Sequence, residues 1–175
     1  VETDPVAPLG VYGASKEEGE RAVRAALARH LIIRTSWVYG VHGANFLKTM
    51  LRLAAERDRL TIVADQRGCP TATRDIADGL LAAAPLLAAG TLAPGTYHFA
   101  GSGTTSWFDF ATAIVERAGL HTGRHPEVVP ITTADYPTPA RRPANSELSS
   151  AAFAQASGIR AAPWQDRVVE VVDTL

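Results

Sequence analysis

The sequence is poor in the residue that cross-links a fold: among 175 residues there is one cysteine, Cys69. A single cysteine excludes an internal disulfide and any thiolate metal cluster within one chain, and fits a reducing cytoplasm. Long apolar runs are also missing. None approaches the roughly 20 residues a membrane helix needs, and the opening Val1-Glu2-Thr3-Asp4-Pro5 carries neither the basic nor the apolar stretch of an export signal. An excess of one charge is absent too. The 17 basic and 18 acidic residues leave a net charge of −1, so no field draws nucleic acid or an anionic membrane to the chain. Partners must therefore be recognised at a site. With 46% hydrophobic residues, the chain is long enough for one domain with a real core and short for two.

What is present is an alternation of helix and strand signals. Residues 11 to about 28 are rich in Ala, Glu and Arg, with Glu17/Arg21 and Glu20/Arg24 in the favourable i,i+4 order, and predict a helix. The run from Leu31 to Tyr39 predicts a strand whose start, Leu31-Ile32-Ile33, is buried on both faces. Apolar residues recur at helical spacing from Phe46 to Ala54, with Asn45 as a possible N-cap, before a strand at 60–64. A loop spans 65–73. A helix follows from Thr73 to Ala89, with Ile76, Leu80 and Leu87 inward and Gly90 as its stop. Beyond a strand at 97–100, Ser106 and Asp109 open a helix that the pattern ends at Gly119, and 128–131 is again strand. Residues 132–145 carry three prolines and no helical period. That is long for a plain connection and points to a functional loop. Two short helices, 149–157 and 164–175, close the chain.

The sharpest local signal is Val11-Tyr12-Gly13-Ala14-Ser15-Lys16. A Tyr and a Lys four apart on a helix lie on one face about a turn apart, so the ammonium can stabilise a phenolate and make the phenol a better proton donor. Four Tyr and two Lys make about 0.05 such pairs expected by chance. An accidental pair on an amphipathic helix remains the alternative. Gly101-Ser102-Gly103 lacks the full phosphate-loop pattern and reads as a turn, while His121 and His125 straddle Gly123 in a poor setting for a metal pair, so no metal site is expected.

The succession Y-G-A-S-K-x-x-G-E, R-T-S-W-V-Y-G, N-F, D-Q-R-G-C-P-T and R-D-I-A-D, completed by the loop from Pro130 to Ser146, resembles the extended short-chain dehydrogenase/reductases, and within them the dTDP-4-dehydrorhamnose reductases. The resemblance covers nearly the whole chain. It implies an α/β fold, the C-terminal portion of a Rossmann-like fold plus a small substrate-binding subdomain. Residues 1–64 and 90–118 would be the core with the catalytic helix, and 65–89 and 119–175 the substrate-binding region. It implies reduction of the C4 ketone of a dTDP-linked deoxyhexulose with NADPH or NADH. Tyr12 would protonate the carbonyl oxygen, and Lys16 would support it and hold the nicotinamide ribose, with Ser36 also on the cofactor. Trp37 and Thr35 would face the sugar, although Thr35 and Ser36 could equally satisfy backbone groups. Asn45 is a substrate contact or a plain cap. Arg74, Arg141 and Arg142 are diphosphate candidates, Arg142 foremost because it lies in the matched loop.

The Gly-rich turn that holds a dinucleotide pyrophosphate has no counterpart here, and Thr3 is too close to Tyr12 to be the family's upstream Ser or Thr. The chain is thus expected to be the C-terminal part of a longer enzyme, inactive alone, self-associating through an uncovered sheet edge and helix face. The alternatives are a regulatory or binding subunit of the same fold, or a nucleotide-sugar epimerase or dehydratase.

Overall fold

A computed structural model describes residues 1–138 and 142–175. In chain order the elements are α1 (Val11–Ala26), β1 (Leu31–Arg34), β2 (Val38–Tyr39), α2 (Phe46–Glu56), β3 (Arg59–Val63), β4 (Arg67–Gly68), β5 (Thr71–Ala72), α3 (Thr73–Ala89), β6 (Gly95–His98), β7 (Thr105–Ser106), α4 (Trp107–Thr122), β8 (Glu127–Ile131), β9 (Asn145–Ser146), α5 (Ala151–Ser157) and α6 (Trp164–Thr174). A 3-10 turn, Thr133–Asp135, lies between β8 and β9. Pairing is parallel in β1–β6, β2–β5, β3–β8 and β4–β9, and antiparallel in β4–β7.

Helix α4 is the centre of the main core. Its Phe110, Ala111 and Ile114 are fully buried, and they pack with Leu47 and Met50 of α2, Leu60 and Ile62 of β3, and Val168 of α6. Strand β3 alternates buried Leu60 and Ile62 with exposed Arg59 and Thr61, as a strand covered on one face must. A second cluster of Ala83, Leu92, Phe99 and Phe153 joins α3, β6 and α5.

Several expectations need correction. The strand expected over 31–39 is broken at Trp37, whose φ of 47° lies in the left-handed region. Leu31, Ile32 and Ile33 are half-buried rather than sealed on both faces, because among the described residues β1 has one neighbour, β6. The inward residues of α3 are Asp75, Gly79 and Ala83, and Leu80 is exposed. Small residues win this face because the ring of Phe99 lies against Gly79. Helix α4 runs past Gly119 to a left-handed Gly123; Gly119 is buried, with the ring of His125 where a Cβ would be. The 65–73 loop contains β4 and β5.

Candidate active site

Helix α1 buries none of its residues, and its half-buried face is charged. Glu20 accepts from Arg34 Nε and Nη2 at 2.9 and 2.7 Å and from Arg24 at 3.0 Å, while Glu17 accepts from Arg24 at 2.9 Å. The Arg34 guanidinium holds the Glu20 carboxyl below its ordinary pKa. The helix is therefore docked on β1 by ion pairs, and its apolar side faces outward. Tyr12 is 78% exposed, and the Lys16 ammonium sits 5.4 Å from the centre of its ring, over the face rather than at the hydroxyl.

At the carboxyl ends of the parallel strands β1 and β6 lie three buried polar atoms without a hydrogen-bond partner: Thr35 Oγ1, Ser36 Oγ and His98 Nδ1. Each costs about 1–3 kcal/mol unless something satisfies it, and this end of an α/β sheet is where ligands gather. Burial pushes the His98 pKa down, and its backbone N–H donates to Glu2 Oε1 at 2.9 Å. Sequence reasoning passed over His98. Its one signal was its place closing a strand, in register with Arg34.

A cleft of about 970 Å³ opens between α2, β3 and the segment after β8. Phe46, Trp107 and Tyr136 supply aromatic walls, Arg57, Arg59 and Arg142 supply cations, and Gln66 an amide. The segment is pinned at its start. Asp65 accepts the Thr133 N–H at 2.9 Å and its hydroxyl at 2.7 Å, and Gln66 Nε2 donates to Thr133 Oγ1 at 3.1 Å. These bonds hold the Asp65 carboxyl below its usual range. Trp37 reaches the cleft indirectly, stacked on Trp107 with ring centres 3.6 Å apart and planes 10° apart.

The candidates thus fall into three groups. Arg142 lines the cleft; Thr35 and Ser36 stand orphaned at the strand ends; Tyr12 and Lys16 do not line the cleft and stand exposed on α1. Asn45 is committed at both ends of its amide: Oδ1 accepts from Lys48 N at 3.1 Å, capping α2, and Nδ2 donates to Gly40 O at 2.7 Å. Arg74 is no part of the cleft lining; it pairs with Glu170 and Asp78, tying α3 to α6. Arg141 lies outside the described residues. Among the described residues no three His, Cys, Asp or Glu side chains converge as a metal site, and His121 bonds Asp173 at 2.8 Å.

The parallel strand pairs beside a helix carrying Tyr12 and Lys16, with the solved structures they match, define the class as an α/β fold of the extended short-chain dehydrogenase/reductase type. Within that class, a family model described as the RmlD substrate binding domain matches residues 1–175, and the chain belongs to that family. A dTDP-4-dehydrorhamnose reductase of Burkholderia thailandensis is 48% identical over 173 residues, covering 94% of this chain and 58% of its own length. The crystal structure of such a reductase from Clostridium acetobutylicum superposes with a TM-score of 0.90 at 37% identity, over 99% of this chain and 58% of that one. One from Bacillus anthracis in complex with NADP gives 0.86 at 32% identity, over 99% and 59%. The chain thus spans somewhat more than half the length of these relatives.

Proposed function

We propose that this chain is the substrate-binding part of a reductase that converts the C4 ketone of dTDP-4-dehydro-L-rhamnose to the alcohol of dTDP-L-rhamnose, an activity of the whole protein rather than of these 175 residues. The observation that carries the reading is the cleft, in which Arg142 and two further arginines stand with aromatic walls and one amide. Its volume suits a nucleotide sugar, guanidinium groups suit a diphosphate, and flat rings suit a base or a deoxysugar face. Asn45 serves the cleft through α2, whose start it caps and whose Phe46 lines the wall.

NADPH, or NADH, is the proposed cofactor, in keeping with the NADP held by the Bacillus anthracis relative. The orphaned hydroxyl of Ser36 fits the polar end of a nicotinamide, with Tyr12 and Lys16 at its ribose; the sequence has no glycine-rich turn for the pyrophosphate. When bound, the reduced nicotinamide supplies hydride. Tyr12 then gives its phenolic proton to the C4 oxygen, and Lys16 stabilises the charge left on the phenol. Thr35 and Trp37 border the sugar. In terms of role, residues 1–64 and 90–118 serve the reaction and 65–89 and 119–175 the substrate, although β3 of the first set pairs with β8 of the second. No described helix is long and apolar enough to cross a membrane, and a cytoplasmic setting is proposed from the single reduced cysteine.

The test is NADPH oxidation by the complete parent protein with dTDP-4-dehydro-L-rhamnose. Tyr12→Phe is expected to lower kcat at least 100-fold with little change in KM. Undiminished turnover would remove Tyr12 from the mechanism, and nucleotide binding without any wild-type turnover would favour a regulatory subunit.

A further inference from the structure

Trp107 belongs to two places at once. It lines the nucleotide-sized cleft, and its indole is the surface on which Trp37 lies, 3.6 Å away and nearly parallel. Trp37 itself does not line the cleft. The backbones carrying both rings are fixed. The Trp37 carbonyl accepts from Thr71 N at 3.1 Å, and Trp37 is held at a φ of 47°, which a bulky residue adopts only under constraint. Trp107 is the first residue of α4, directly after the N-cap Ser106, whose Oγ accepts from Asp109 N at 3.0 Å.

Gly68 closes the arrangement. It sits in β4, the middle strand of the three-stranded sheet, in register with Thr105 on one side and Ser146 on the other, so its main chain has little freedom. A Cβ there would stand 2.3 Å from Trp37 Cε2 and 2.6 Å from Nε1. That is far inside contact distance, and the obstructing group is a rigid ring already backed by Trp107. Both indoles are only half-buried.

We propose that Trp107 is a positioning residue that couples the cleft to Trp37, with Gly68 as the glycine that leaves room for the stack. Occupancy of the cleft bears on one indole and thereby sets the other, at the strand end where Thr35 and Ser36 stand. The inference rests on the cleft being the nucleotide-sugar site.

Two stacked indoles give an exciton couplet in circular dichroism, a signal that a merely structural role in the core would not tie to ligand. The complete parent protein is titrated with dTDP while calorimetry and the couplet are followed together. The couplet is expected in the free protein, absent from Trp107→Leu, and altered by dTDP with the calorimetric midpoint. Gly68 is no part of the cleft lining, yet Gly68→Ala should diminish the couplet and weaken dTDP about tenfold. Trp107→Leu should lose a similar factor, and Trp107→Phe, which keeps a ring on the stack, should recover most of it. Binding of dTDP with an unchanged couplet, or wild-type affinity in Gly68→Ala despite a diminished couplet, overturns the coupling and leaves the cleft reading intact. Absence of dTDP binding to the wild-type protein overturns the cleft reading, and the coupling with it. Should Gly68→Ala not fold, the Phe and Leu variants decide: equal affinity in the two overturns the coupling.

Discussion

At Asp173 two side chains converge on one exposed carboxylate. Arg117 donates through Nε at 2.7 Å and through its second nitrogen, and His121 Nε2 stands at 2.8 Å. The Arg117 guanidinium, with His121 second, pulls the carboxyl from 3.8 down to about 2. A depressed folded-state pKa means that the contribution to stability is complete above the unfolded value and fades as pH falls through the folded one. The thermal midpoint should therefore drop between about pH 4 and pH 2, and Asp173→Ala should show a shallower drop across that window in calorimetric melts. Asp65 obeys the same sign, so the Thr133 attachment of the cleft segment is intact at neutral pH. Residue identities of this kind are written in the sequence, but their partners are not. Asp65 and Thr133 are 68 positions apart, and Arg117 and Asp173 are 56.

Element-scale signals were local and therefore legible. Asn45 before Phe46, Ser106 with Asp109, and glycine after Ala89 and Ser157 each mark a helix end that the structure realises through a capping bond or a left-handed glycine. Asn45→Ala should lower stability by about 1 kcal/mol in denaturant titration, with Asn45→Asp largely retaining it. Where an element's behaviour depended on its neighbours, local pattern misled. Gly119 reads as a stop in isolation, yet α4 continues through it to Thr122, and with His125 in the space a Cβ would take it is a packing glycine. Apolar Leu80 reads as inward in α3, yet buried Asp75 turns that face toward Arg167, which donates to it at 2.8 Å. A part-buried ion pair between α3 and α6, 92 positions apart, has no periodicity to announce it.

For the molecule as a whole, the prominent feature is the side occupied by α1 and β1. Val11 and Tyr12 are 87% and 78% exposed, Val6, Leu9, Val23 and Leu27 are exposed with them, and β1 pairs on one edge alone among the described residues. An open parallel strand beside an apolar helix face is the kind of surface that favours association. Sedimentation velocity of the isolated chain should show dimers or larger species, shifted toward monomer by Val11→Glu with Val23→Glu; a monomer across the micromolar range would contradict this.

The sequence by itself determined the α/β order, most helix ends, the Tyr12–Lys16 pair on one helical face, and the family, because these rest on spacing and on short motifs. Tertiary structure alone decided which of those residues meet. It set Trp37 on Trp107 against Gly68, committed Asn45 to a cap, drew Arg74 into an ion pair, put Arg142 on the cleft, and left Tyr12 and Lys16 exposed on a helix docked by its charges. The physical reason is that spacing along a chain fixes direction around one element, while contact between elements is chosen by packing volume and charge pairing across tens of residues.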